Sequence, residues 1–101
     1  MQIQTHNDNG KARMILKGRF DFQTHRDFRA ACENSLTAKD VQSIEVDLEG
    51  VEYLDSSALG MLLLLRDKGK NSNKVISLAN CRGSVRQVLD IANFGKIFTM
   101  R

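Results

Sequence analysis

The triplet Asp55-Ser56-Ser57 holds the residue types best placed to do chemistry, because it stands where an apolar strand gives way to an apolar helix. Three roles suit a serine beside a carboxylate at such a place. Either side chain can cap the first backbone N–H groups of the helix, which have no partner of their own. A serine can be a nucleophile where a histidine activates it. Or it can carry a phosphate, which would face the same N–H groups and the positive end of the helix dipole.

The nucleophile is the weakest of the three. A catalytic set would have to be drawn from Ser56 or Ser57, His25 and one of several aspartates, without a G-x-S-x-G elbow and in a chain of only 101 residues. A phosphate-binding loop of the form G-x-x-x-x-G-K-[ST] does not occur. Nor does an acidic pair closing a first strand, as a phosphoacceptor-aspartate receiver would need to hold magnesium. Cys32, Cys81, His6 and His25 stand in unrelated segments, which excludes a zinc site by spacing and gives no disulfide framework. The two cysteines are expected to be buried free thiols. No cofactor is expected.

Fifteen basic and 12 acidic residues give a net charge of +3. The bases are spread out except for Arg66, Lys68, Lys70 and Lys74, which follow a helix and complement its negative end. That is a weak footprint for nucleic acid, and none is expected as a partner. The longest apolar run, Met61 to Leu65, is far shorter than the roughly 20 residues that span a bilayer. The first residues, MQIQTHNDNGKARM, lack the apolar core of a signal peptide. A soluble, cytoplasmic chain with no membrane partner is the expectation.

The elements that must position the triplet read clearly. MQIQTH alternates as an edge strand, and NDNG after it is a hairpin turn. ARMILKGRF gives a second strand, Ile44 to Leu48 a third, KVISLAN a fourth and KIFTM a short fifth. In the third, Ile44, Val46 and Leu48 share one face, and Glu45 and Asp47 the other. A first helix opens at Thr24 with Asp27 as its capping-box acid and buries Phe28, Ala31, Cys32 and Leu36. A last helix opens at Ser84 with Gln87 completing a capping box, buries Val85, Val88, Leu89 and Ala92, and stops near Gly95. The middle helix starts inside DSSALG and ends near Gly69.

Strands alternating with helices imply one α/β domain over residues 1–101. Its sheet is expected to be mostly parallel, of four to five strands, with an antiparallel N-terminal edge and three main helices. Binding in such sheets occurs outside the carboxyl ends of the strands. GRFD (18–21) and YLDSSALG (53–60) are both loops at carboxyl ends, so Asp21 joins the serines on one surface if their strands are neighbours. Phe20, Phe22 and Phe28 are expected in core and loop packing, and Tyr53 at the strand end.

From Ala58 to Leu65 every residue but Gly60 is apolar, more than one buried stripe requires. A small domain has little room for a fully central helix. Met61, Leu64 and Leu65 are therefore the candidate contacts for a protein partner. A phosphate on Ser56 or Ser57 would put about −1.5 to −2 charges beside that face. Against a partner's acid ~5 Å away, at an effective dielectric of ~20, each unit charge costs on the order of 3 kcal/mol. Such a modification can end binding and leave the fold intact.

GRFD, then VDLEGVEYLDSSALG, then the Leu-rich helix and the closing VRQVLDIANFGKIF resemble the STAS domain of bacterial anti-sigma factor antagonists over essentially the whole chain. The resemblance implies that Ser56, directly after the aspartate, is phosphorylated, with Asp55 and Ser57 shaping its surroundings. It also implies that Asp21 lies beside Ser56 and is read by a kinase or partner. Ala58 departs from the pattern, since many members carry glycine there; alanine is the better helix former and stiffens the first turn.

The implied function is a partner switch in a non-catalytic domain, a monomer when free. Unphosphorylated, it binds an anti-sigma factor, often itself a serine kinase, and so releases a sigma factor. Phosphorylation ends the association and a serine phosphatase restores it. The alternative is a STAS-type interaction subunit of another complex, such as a lipid transport system.

Overall fold

A computed structural model describes residues 1–100. The hairpin β1 (Gln2–Asp8) and β2 (Lys11–Phe20) is followed by a 3-10 turn over Phe22–Thr24 and helix α1 (His25–Thr37). Then come β3 (Ser43–Leu54), α2 (Ser56–Asn71), β4 (Val75–Ala79), α3 (Gly83–Ile91), a 3-10 turn over Phe94–Lys96 and β5 (Thr99–Met100). The sheet order is β1-β2-β3-β4-β5. β1 runs antiparallel to β2 and every other neighbouring pair is parallel, as the alternation of elements requires.

The hairpin turns through Asn9 (φ 50°) and Gly10 (φ 82°), a two-residue turn of the kind that asparagine and glycine favour. Ala12, Ile44 and Ile76 lie side by side across the parallel strands, as do Met14, Val46 and Leu78. These rows are buried and form one core with Phe28, Leu62, Leu65 and Leu89. α2 lies close to them: a methyl added at Gly69 would sit 2.6 Å from Ile76 Cγ1. Its buried residues are Ala58, Leu62, Leu65 and Gly69, a single stripe at helical spacing.

Three expectations change. β3 does not stop at Leu48 but runs to Leu54, alongside β2 as far as Phe20. Gly50 permits this, since a Cβ there would meet Leu16 O at 3.0 Å and Lys17 Cγ at 2.8 Å; only a residue without a side chain lets the strands come so close. Thr24 is the N-cap position of α1 as expected, but its side chain makes no capping bond there, and the capping box belongs to the preceding 3-10 turn, with Asp21 as its cap. Asp21 accepts from the Gln23 N–H (3.1 Å), and the Thr24 hydroxyl accepts in return from the Asp21 N–H (3.2 Å). α3 begins after Arg82 with no side-chain cap, so Ser84 and Gln87 form no capping box.

The face of β3 that carries Glu45 and Asp47 is covered as well. Glu45 and Asp47 are 5% and 3% exposed. Asp47 accepts hydrogen bonds from Arg13 Nη2, from Asn80 Nδ2 (3.1 Å) and from the Glu49 N–H (2.9 Å). Glu45 pairs with Lys11 (3.3 Å) and Arg13 (3.7 Å). Burial raises the Asp47 pKa, but the hydrogen bonds from Glu49, Arg13 and Asn80 and the Arg13 charge outweigh it and hold the carboxyl below its ordinary value. Alternation revealed which residues share that face but not that long basic side chains would cover it.

Candidate functional site

β2 and β3 end side by side, with Phe20 beside Leu54 in register. Their carboxyl-end loops are stitched together by the backbone: the Asp55 N–H donates to Phe20 O at 3.3 Å, and the Phe22 N–H donates to Asp55 Oδ2 at 3.3 Å. The other oxygen of Asp55 accepts from the Ala58 N–H at 3.0 Å, capping α2. One carboxylate therefore closes a helix and ties it to the neighbouring loop. Asp21 and the Asp55-Ser56-Ser57 triplet leave adjacent strands, so the condition set by the sequence holds.

With Asp55 as the cap, neither serine is needed for that task. Ser56 is exposed and Ser57 half-buried at the start of α2, and among the described residues neither side chain makes a hydrogen bond. Asp21 is engaged locally, by Gln23 and by Arg19 Nε at 3.7 Å. Arg19 in turn lies over the Tyr53 ring, 4.3 Å from its centroid. Tyr53 thus anchors a cation at the strand end, and a positive group stands one residue from each loop.

Beyond the serines, α2 leaves Leu64 51% and Leu63 37% exposed, with Met61 half-buried. Leu65, at 2% exposure, belongs to the core stripe and reaches the surface only as part of the groove lining. Met61 and Leu64 line an apolar groove between α1 and α2, together with His25, Phe28 and Lys68. Lys68 closes one end by pairing with Glu33 at 2.7 Å.

Phe20, Phe22 and Phe28 divide between core and loop. Phe20 and Phe28 are core, their ring centroids 4.8 Å apart, but Phe22 is 65% exposed and stacks on His25 at 5.0 Å. Phe22 and His25 extend the apolar surface from the groove to the loop that Asp55 holds. Composition gave no warning of this. The available signal was position: two residues beyond buried Phe20 the chain has left the strand, and strand alternation no longer fixes the face.

The cysteines carry no chemistry here. Burial pushes the Cys32 thiol up to about 12 and the Cys81 thiol up to about 11, so both are protonated and poorly nucleophilic near neutrality. Among the described residues no helix is long and apolar enough to cross a membrane.

The family model described as "Mlab, STAS domain" matches residues 3–100. A STAS-domain containing protein of Pseudomonas aeruginosa is 50% identical over 91 residues, covering 90% of this chain and 88% of that one. Among solved structures, the phosphorylated form of the Bacillus cell fate determinant SpoIIAA aligns with a TM-score of 0.76 at 19% identity, over 99% of this chain and 91% of that one. A sulfate transporter family protein from Wolinella succinogenes aligns with a TM-score of 0.74 at 11% identity, over 87% of this chain and 70% of that one. At these identities the two structures speak for the fold. By the match to the family model across nearly its whole length, and by its Pseudomonas relative, the chain belongs to the STAS family.

Proposed function

We propose that this protein is a phosphorylation-controlled binding module that antagonises an anti-sigma factor. The observation that carries the reading is the division of labour at α2. Asp55 alone caps the helix, which leaves Ser56 exposed and without a structural task at the start of the helix whose Met61 and Leu64, with Phe22 on the adjoining loop, leave an apolar surface. In the unmodified state that surface docks on the partner, and Asp21, Asp55 and Ser57 frame the serine. A kinase, which can be the anti-sigma factor itself, phosphorylates Ser56, and a serine phosphatase reverses it. The likeness to SpoIIAA, solved in its phosphorylated form, supports the reading at the level of fold. The domain catalyses nothing and works in the cytoplasm.

A pull-down from the native cell with wild type, Ser56→Ala and Ser56→Asp as baits tests it. An anti-sigma factor captured by the first two and lost with the third supports the switch. Equal capture of the same partners by all three contradicts it. A second reading, an interaction subunit of a transport complex such as a lipid transporter, is favoured by the likeness to the sulfate transporter family protein. Recovery of a transporter subunit in place of an anti-sigma factor would establish that reading.

A further inference from the structure

The two edges of the sheet are protected very differently. β5 comprises Thr99–Met100 only, too short a template among the described residues for a foreign strand. β1 is a regular strand of 7 residues, QIQTHND, with only Ile3 half-buried. It has no lysine, arginine or proline, and its register with β2 shows no bulge. These are the devices that ordinarily blunt an edge, and β1 lacks them.

The hairpin fixes which backbone groups are free. In a two-residue hairpin the pair next to the turn, here Asp8 and Lys11, exchanges both backbone hydrogen bonds, and the pattern repeats every second residue. Gln2, Gln4, His6 and Asp8 therefore direct their N–H and C=O groups at β2. Ile3, Thr5 and Asn7 direct theirs outward. Beside them, a polar groove lined by Ile3, Thr5 and Asn7 on one side and Asp27, Ala30 and Asn34 on the other shows that α1 stops short of covering the edge.

We propose that β1 is the dimerisation edge of this protein, pairing antiparallel with β1 of a second copy about a two-fold axis at Thr5. This register matches every outward group of one strand with an outward group of the other: Ile3 with Asn7 of the second copy, Thr5 with Thr5, Asn7 with Ile3. A register shifted by two residues leaves one of these residues in each copy without a partner. The side chains agree. Thr5 faces Thr5, a favourable cross-strand pair, Gln4 faces His6, and Gln2 faces Asp8, so no like charges are opposed. The result is a continuous sheet through both copies. The edge holds none of the residues assigned to the switch, so the dimer stands or falls independently of that reading.

Strand pairing covers less than the roughly 1,000 Å² of a stable interface, so association is concentration-dependent. Sedimentation velocity from about 10 μM to about 1 mM reads it directly. The expected result is a shift from monomer to dimer across that range. Thr5→Pro removes the central N–H donor on the side facing away from β2, so the hairpin is kept while the dimer weakens about 10-fold or more, with circular dichroism confirming the fold. Thr5→Cys is expected to form an intermolecular disulfide on mild oxidation, because the two Cα atoms would be about 5.5 Å apart. Asn7→Cys is not, because its two copies would be about 14 Å apart. A chain that stays monomeric throughout, a folded Thr5→Pro variant that dimerises as wild type does, or equal crosslinking of the two cysteine variants overturns the proposal. So does an edge that takes up only a strand from another protein.

Discussion

Asp47 and Asp55 lie on one strand and at its end, both accept backbone and neighbouring hydrogen bonds, and yet they do opposite work. Asp47 is buried and served by a guanidinium, an amide and a backbone N–H. Asp55 is half-buried and served by two backbone N–H groups from different loops. The first is an interior joint that gathers three partners, of which only Arg13 is shared with another acid, Glu45. The second organises a surface and frees the residue next to it. The middle of β3 is scaffold and its end carries the proposed site, and the boundary falls where β4 stops beside Asp47 while β3 continues with β2 alone.

Truncating the two carboxylates is the sharpest way to break this contrast. Asp47→Ala leaves Asn80 and the Glu49 N–H without their acceptor and Arg13 with Glu45 alone, and is expected to cost about 3 kcal/mol in urea unfolding. Asp55→Ala removes a helix cap and is expected to cost about 1 kcal/mol. Equal losses would mean that the end of β3 is as much scaffold as its middle.

Acid sharpens the same contrast. The folded Asp47 carboxyl titrates below its unfolded value of about 3.9, so its contribution is fully present above that pH and is lost as the pH falls through the folded value. Unfolding measured from about pH 5 to pH 2 should show a steep acid loss in wild type and a flatter profile in Asp47→Asn. Identical slopes would place the acid sensitivity elsewhere. Smaller still is Ser56→Ala, expected to shift stability by no more than about 0.5 kcal/mol because the hydroxyl supports nothing in the fold. A loss near that of Asp55→Ala would make the serine a structural cap after all.

The succession of elements along the chain, the hairpin and the three helices were legible because periodicity and turn residues report them directly, whereas the neighbours of each strand in the sheet were not. Helix starts were harder. Asp21, Thr24 and Asp27 all lie within about two turns of one another, each chemically able to cap, and only the path of the chain after Phe20 selects Asp21. The α2 surface was half legible. The excess of leucine announced an exposed apolar face, but a run that is apolar all round cannot show which stripe meets the sheet, so buried Leu65 and exposed Leu64 read alike. Phe22 was hidden for the converse reason: an aromatic residue near a core strand reads as core unless the turn that carries it outward is known. The buried acids were hidden because Arg13 and Lys11, which cover them, are distant in sequence and adjacent only through the register of β2 with β3.

The central claim is that Ser56 stands free of the fold in order to be modified. The most direct test is phosphosite mapping by mass spectrometry on the protein isolated from its native cells. The account predicts a phosphate on Ser56 in a fraction of the molecules. Protein recovered with Ser56 unmodified under every growth condition, or with phosphate only on other residues, would contradict it.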